Sequence, residues 1–367
     1  MKIIQILPEL NAGGVERGTL EVAARLVAEG HQSLVISNGG RLVEQLERAG
    51  SRHLAMPVHR KSLASLAQVV ALRKVFIQEQ PDIIHLRSRL PAWLAWLAWK
   101  TMDSCTRPRL VTTVHGFYSV NAYSAIMTQG EVVIAVSESV KSYVMENYRK
   151  MPVAKICVIP RGIEPERYFT DFQAPAEWKL CWQSEQPNLA GKCVLLLPGR
   201  ITRLKGHDDF FALIAALKND GIPVHGLVAG DTHVKKHGYM DELRTTVTHL
   251  GLGSDLTFLG HRNDIREVMS VCDVIFALSQ QPESFGRTVL EAMALGKPVV
   301  GYDCGGVGEL LGTLFPQGRV ALGNAAELLE VTRSVIGGCA TPAAVGEPFT
   351  LEAMCRATLD VYRKLER

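Results

Sequence analysis

At 367 residues and 47% hydrophobic content, the chain is long enough for two domains of about 150–200 residues, each with its own core. A small scaffold held by disulfides or metal is excluded. The formal net charge of +3 is far from the charge density of a dedicated nucleic-acid binder, and it leaves anionic small ligands open as partners.

Short β-branched runs alternate with helical patterns from the start: "IIQIL", then "ERGTLEVAARLVAEG", "SLVIS" and "RLVEQLERAG", and onward through "DIIHL", "LVTTV", "VVIAV" and "ICVIP". Such alternation predicts βα units around a parallel sheet covered on both faces. The pattern lapses across 170–191, which carries Pro175 and Pro187 and is expected to be a linker between domains 1–169 and 192–345. A second alternation follows through "CVLLLPGR", "VHGLVAG", "LTFLG", "CDVIFALS" and "KPVVGYD". The fold class is therefore α/β, with two doubly wound Rossmann-like domains. The closing segment 346–367 predicts a helix that either completes the second domain or crosses back to the first.

The eight cysteines include no C-x-x-C pair, and several lie in apolar strand-like runs, so they read as buried free thiols in a reducing compartment. The opening "MKIIQILPEL" is too short in apolar residues for a signal peptide, and no run reaches the ~20 apolar residues of a membrane span. A cytoplasmic location is expected.

In open α/β sheets ligands bind beyond the carboxyl ends of the strands, so the strand-end loops are the places to look for chemistry. After the first strand, Gly13 and Gly14 precede a helix whose exposed N–H groups could receive an anion, although the pair would serve a tight turn equally well. No G-x-G-x-x-G and no G-K-[ST] are present, which argues against NAD and against ATP hydrolysis. In "LPGRITRLKGHDDF", Arg200 and Lys205 stand between a strand end and a helix start, where two cations can converge on one diphosphate. In "PESFGRTVLE", Glu283 lies in a loop, and Phe285, Gly286, Arg287 and Thr288 open a helix whose apolar run buries Glu291. A buried carboxylate needs hydrogen-bond donors, and either ligand hydroxyls or an arginine of the same domain would supply them.

This set of motifs resembles the retaining glycosyltransferases of family 4, which have the GT-B fold: a G-G loop after the first strand, "GR" then "KG" after the first strand of the second domain, and E-x-F-G-x-x-x-x-E. "IPRGIEPERY", "EAMALGKPVV" and "GGVGEL" extend the similarity over nearly the whole chain. The resemblance implies two domains facing across a cleft, and a UDP- or GDP-sugar as donor substrate rather than a cofactor. It implies that Arg200 and Lys205 neutralise the diphosphate and that Gly14 and the amides of Phe285–Thr288 add donors. Glu291 would take the ribose, Glu283 would hold the sugar, and the loop around Arg262 would line the base. His115, at the end of "LVTTV", would contact sugar, which with Arg200, Lys205 and Glu283 makes the implied catalytic set. Glu16, Arg17, Arg87, Tyr118 and Asn121 are acceptor-side candidates. No metal is implied, and the sequence carries no D-x-D and no His/Asp/Glu cluster at ligand spacing.

Two further stretches admit double readings. "RSRLPAWLAWLAWKTM" spaces Trp93, Trp96 and Trp99 among basic residues, which suits either a membrane interface or a helix packed on the sheet. His233 and His237 have helical spacing but no third ligand, and read as a solvated loop. The implied function is transfer of a hexose-type sugar to a lipopolysaccharide core or another cell-envelope glycan, the acceptor being lipid-linked in some cases and the enzyme then lying at the inner face of the cytoplasmic membrane. An epimerase of sugar nucleotides and an inactive nucleotide-sugar-binding scaffold stay open as alternatives. Nucleic acid is not an expected partner.

Overall fold

The apolar runs form two all-parallel sheets, in a computed structural model that describes residues 1–11, 13–60, 63–231, 237–338 and 340–366. The first comprises β1 (Lys2–Ile6), β2 (Gln32–Ser37), β3 (Arg52–Ala55), β4 (Ile83–Leu86), β5 (Arg109–Val114), β6 (Val132–Ala135) and β7 (Ile156–Val158), in the order β3-β2-β1-β4-β5-β6-β7. The second comprises β8 (Cys193–Pro198), β9 (Val224–Ala229), β10 (Leu256–Gly260), β11 (Val274–Ala277), β12 (Val299–Tyr302) and β13 (Arg319–Val320), in the order β10-β9-β8-β11-β12-β13. Most of these strands are near-continuously apolar because helices cover both faces. In each sheet the order reverses beside its first strand, between β1 and β4 and between β8 and β11. Such a switch point opens a crevice at the strand ends.

The chain divides into two units, Met1–Gly162 with Leu351–Arg367, and Ile163–Thr350. The last helix, Leu351–Leu365, belongs to the first unit: its Met354, Leu359 and Tyr362 join Ile3, Val22, Leu26, Ile83 and Val111 in one buried cluster. The segment expected as a linker instead holds the helix Ala176–Glu185 within the second unit. Its Trp178 stacks on Trp182 with ring centroids 5.2 Å apart, and the Trp178 indole N–H donates to Asp264 Oδ2 at 2.7 Å.

The tryptophan helix, Arg89–Lys100, is bound into the first unit. Trp99 is buried and donates to the Pro108 carbonyl at 2.7 Å, while half-buried Trp93 donates to the Tyr123 carbonyl at 2.8 Å. Among the described residues, no helix is long and apolar enough to cross a membrane. The cysteines depart from their expectation in part: Cys272 and Cys355 are buried, but Cys105 and Cys181 are exposed, and the strand residues Cys157 and Cys193 are half-buried. His233 and Cys339 fall outside the described residues, as does the side chain of His237.

Candidate functional site

The switch point of the second sheet brings together the loops that follow β8 and β11. Past β8 the chain runs through Gly199 and Arg200 into a short 3-10 turn, Arg203–Lys205, and the helix His207–Asn219. Gly206 joins turn to helix with φ of 71°, and a Cβ there would stand 2.1 Å from the carbonyl oxygen of Leu278. Only glycine lets the two loops approach this closely. Past β11, Ser279 leads to Glu283 and then to the helix Arg287–Ala294. The main-chain N–H of Gly306, in the first turn of the helix Gly305–Leu314, donates to the Glu283 carbonyl at 2.7 Å and fixes that loop from a third side.

At the centre, Lys205 Nζ donates to Glu283 Oε1 at 2.6 Å, and the Ser279 hydroxyl donates to the same oxygen. Both charged side chains are partly exposed, at 27% and 29%, so a ligand can reach the pair. Burial pushes the Glu283 carboxyl up, but Lys205, Ser279 and Arg200 together outweigh it and hold the pKa below the usual glutamate value. Arg200 stands exposed on the same loop. Lys205, Ser279, Glu283, Gly286 and Thr288 line one small pocket with the ends of β8 and β11. The start of the helix at Arg287 adds N–H groups with no intrahelical acceptor, so the pocket combines cations, a helix N-terminus and one carboxylate. It is equipped to hold a ligand that carries both anionic and hydroxyl groups.

The neighbouring candidates divide. Glu291 is 5% exposed and paired with Arg287 at 3.3 Å across one helical turn, so the structure supplies the intradomain arginine. Phe285 is buried against Phe349. Arg262 gives its guanidinium to Asp264 at 2.9 and 2.6 Å, lies 3.7 Å from Glu185, and covers the Trp182 ring. Its side chain thus clasps the helix Ala176–Glu185, leaving the main chain of that loop as the part available to a base. Ser279 was not singled out by sequence reasoning; a serine ending an apolar strand carries no distinguishing pattern.

The remaining candidates belong to the first unit. His115 follows β5, with Arg161 Nη2 against its Nδ1. Arg87 follows β4 but is buried entirely: its Nε donates to Gln5 Oε1 at 2.7 Å, and Gln5 in turn donates to the Thr19 carbonyl at 3.2 Å. It lies in the core, with Nη2 buried and without a hydrogen-bond partner. The Glu16 carboxylate folds back to within 2.6 Å of where a Cβ on Gly13 would stand, so the helix start at Gly14 has a carboxylate of its own; burial raises the Glu16 pKa. Gly14 itself is exposed. Arg17 is half-buried, with its main-chain N–H bonded to the Gly13 carbonyl at 3.1 Å. Tyr118 accepts from the His115 main-chain N–H at 3.2 Å under the guanidinium of Arg89, and Asn121 accepts from Ser124 N–H at 2.9 Å. Among the described residues, no group of three or more His, Cys, Asp or Glu is placed to hold a metal ion.

Two family models match the chain, Glycosyltransferase Family 4 over residues 12–167 and Glycosyl transferases group 1 over residues 182–336, which together take in most of it. A curated relative, the N,N'-diacetylbacillosaminyl-diphospho-undecaprenol alpha-1,3-N-acetylgalactosaminyltransferase of Campylobacter jejuni, is 30% identical over 177 residues, 48% of this chain and 44% of that protein. The alignment therefore spans less than half the length of that relative. Among solved structures, a glycosyltransferase from Rickettsia africae superposes with a TM-score of 0.83 at 28% identity, covering 99% of this chain and 98% of that one. The Anabaena protein HepE, crystallised with UDP and glucose, gives a TM-score of 0.80 at 22% identity and 99% coverage of both chains.

Proposed function

Because the chain belongs to the family 4 glycosyltransferases of GT-B fold, we propose that it transfers a hexose-type sugar from a UDP- or GDP-sugar to a lipopolysaccharide core or other cell-envelope glycan, with retention of anomeric configuration and without a metal. The observation that carries the donor half is the Lys205–Glu283 pair, set beside a helix N-terminus in the pocket of the second sheet. Lys205 and Arg200 take the diphosphate, whose charge grows as the glycosidic bond breaks, and the helix start at Gly286–Thr288 adds N–H donors. Glu283 accepts from hydroxyls of the donor sugar, and Glu291 with Arg287 closes the ribose end. The acceptor hydroxyl attacks from the face that the diphosphate leaves, and a leaving phosphate oxygen takes its proton. Fixed cations do the work that a metal ion does elsewhere. The acceptor class draws support from the Campylobacter relative, which by its name acts on a diphospho-undecaprenol-linked acceptor.

The test is nucleoside diphosphate release from UDP-glucose, UDP-galactose, UDP-N-acetylglucosamine and GDP-mannose, with and without extracted core oligosaccharide, followed by the anomeric configuration of the product. One donor should turn over only with acceptor and give a retained linkage. Lys205→Ala and Glu283→Ala should each lose about 100-fold in rate. Donor conversion independent of acceptor would favour an epimerase, and losses of about threefold or less would break the assignment of the site.

A further inference from the structure

His115 sits at the end of β5, and one of its two ring nitrogens is spoken for. Arg161, three residues beyond β7, places Nη2 against His115 Nδ1. A guanidinium has five N–H donors and no acceptor, so the nitrogen it touches must offer a lone pair. In the neutral ring the proton then resides on Nε2. That atom is buried and has no hydrogen-bond partner. A buried donor with no acceptor is expensive to leave unmade, and it marks a place where a ligand atom is expected.

We infer that Arg161 is a positioning residue for His115: by donating to Nδ1 it fixes the imidazole in the Nε2–H tautomer, so that His115 serves as a hydrogen-bond donor and not as a base. Its functional half rests on the glycosyltransferase reading, in which the atom that Nε2–H meets is an oxygen of the sugar. Proton abstraction by this ring is ruled out by the same geometry, because one lone pair is used and the other nitrogen is protonated. The surroundings keep the ring neutral as well: burial first, then the charges of Arg161 and Arg87 and the neighbouring His85, hold its pKa well below the ordinary imidazole value. His85 is itself held neutral between Tyr362 and Thr113, at 2.5 and 2.6 Å.

The guanidinium owes its place to a residue in another element. Arg161 is 9% exposed, with Nη1 3.9 Å from Met354 Sδ, and it lies over Gly18 in the helix Gly14–Ala28. A Cβ on Gly18 would stand 2.7 Å from Nη1 and 3.2 Å from Cζ. Gly18→Ala therefore displaces the guanidinium while leaving Arg161 and His115 unaltered, and a helix-interior glycine gains helix propensity on becoming alanine.

The experiment is long-range 1H–15N correlation on 15N-histidine-labelled full-length protein from about pH 8 to about pH 5, with His115 assigned by the signal lost in His115→Gln. Wild type should show His115 as the neutral Nε2–H tautomer throughout. Gly18→Ala and Arg161→Ala should move its titration up toward about pH 6.5 and mix the tautomers, and Arg161→Lys should restore part of the wild-type behaviour. If one variant fails to fold, the other carries the comparison. In transfer assays Gly18→Ala should lose about tenfold in kcat with little change in KM for the donor, the gain in helix propensity offsetting part of the cost of moving a buried guanidinium. A wild-type ring with its proton on Nδ1, or charged at neutral pH, overturns the inference, as do variant spectra identical to wild type. The expected spectra in a protein that turns over no donor would leave the tautomer assignment standing and defeat the glycosyltransferase reading alone.

Discussion

An ammonium group has three donors, so Lys205 can keep Glu283 at 2.6 Å and still offer protons to a phosphate oxygen. In the proposed reaction the pair stands between the two ends of a nucleotide sugar, with the anion on one side and the hydroxyls on the other. Glu291 carries a different load. It is almost wholly buried and pairs with Arg287, one helical turn away. Removing it breaks an ion pair that lies largely out of water, so Glu291→Ala should lower stability by about 3 kcal/mol in urea denaturation, besides weakening donor binding. Unchanged stability with weakened binding would show that the carboxylate faces the ligand alone. The sequence already posed this choice, because a single charge inside Thr288–Gly296 had to find donors somewhere. The burial of Arg87 was hidden in the sequence for a related reason. A cation just past a strand looks the same in sequence whether it points to a crevice or to a core, and its partners Gln5 and Tyr362 lie at opposite ends of the chain.

Strands and the helices between them were legible because a parallel sheet buried on both faces demands continuous apolar runs, and the helices that cover it demand amphipathic ones. The segment 170–191 was not legible as structure. Pro175 is the cap of the helix Ala176–Glu185, and proline before a helix looks like proline in a linker. That helix is held by contacts distant in sequence, Trp178 with Asp264 and Arg262 with Glu185 and Trp182, which no local pattern announces. At the loops, Gly206 is the element-scale constraint on the pocket at the ends of β8 and β11. Gly206→Ala combines a left-handed conformation with a clash against the Leu278 carbonyl, and should cost about 2 kcal/mol or more together with at least about tenfold in transfer rate. Gly221→Ala is the control: Gly221 has φ of 76° with no atom near a prospective Cβ, so its cost should be about 1 kcal/mol, measured by thermal melting, with activity intact.

The first unit closes only with the last helix of the chain, whose Tyr362 reaches His85 in the core. Where that helix belongs could not be read from sequence, since its amphipathic face fits either sheet. The pocket proposed for the donor, by contrast, is lined by residues of the second unit, among them Lys205, Ser279, Glu283, Gly286 and Thr288. A nucleoside diphosphate should therefore find its binding determinants there with no acceptor added. The most direct measurement is the thermal denaturation of wild type and Lys205→Ala with UDP and with GDP in turn. One nucleotide at about 100 times its Kd should stabilise wild type by about 2.7 kcal/mol, raising the melting temperature by about 5 °C or more, and Lys205→Ala should lose most of that shift. No shift in wild type with either nucleotide, or an equal shift in the variant, would contradict the assignment of this pocket as the donor site.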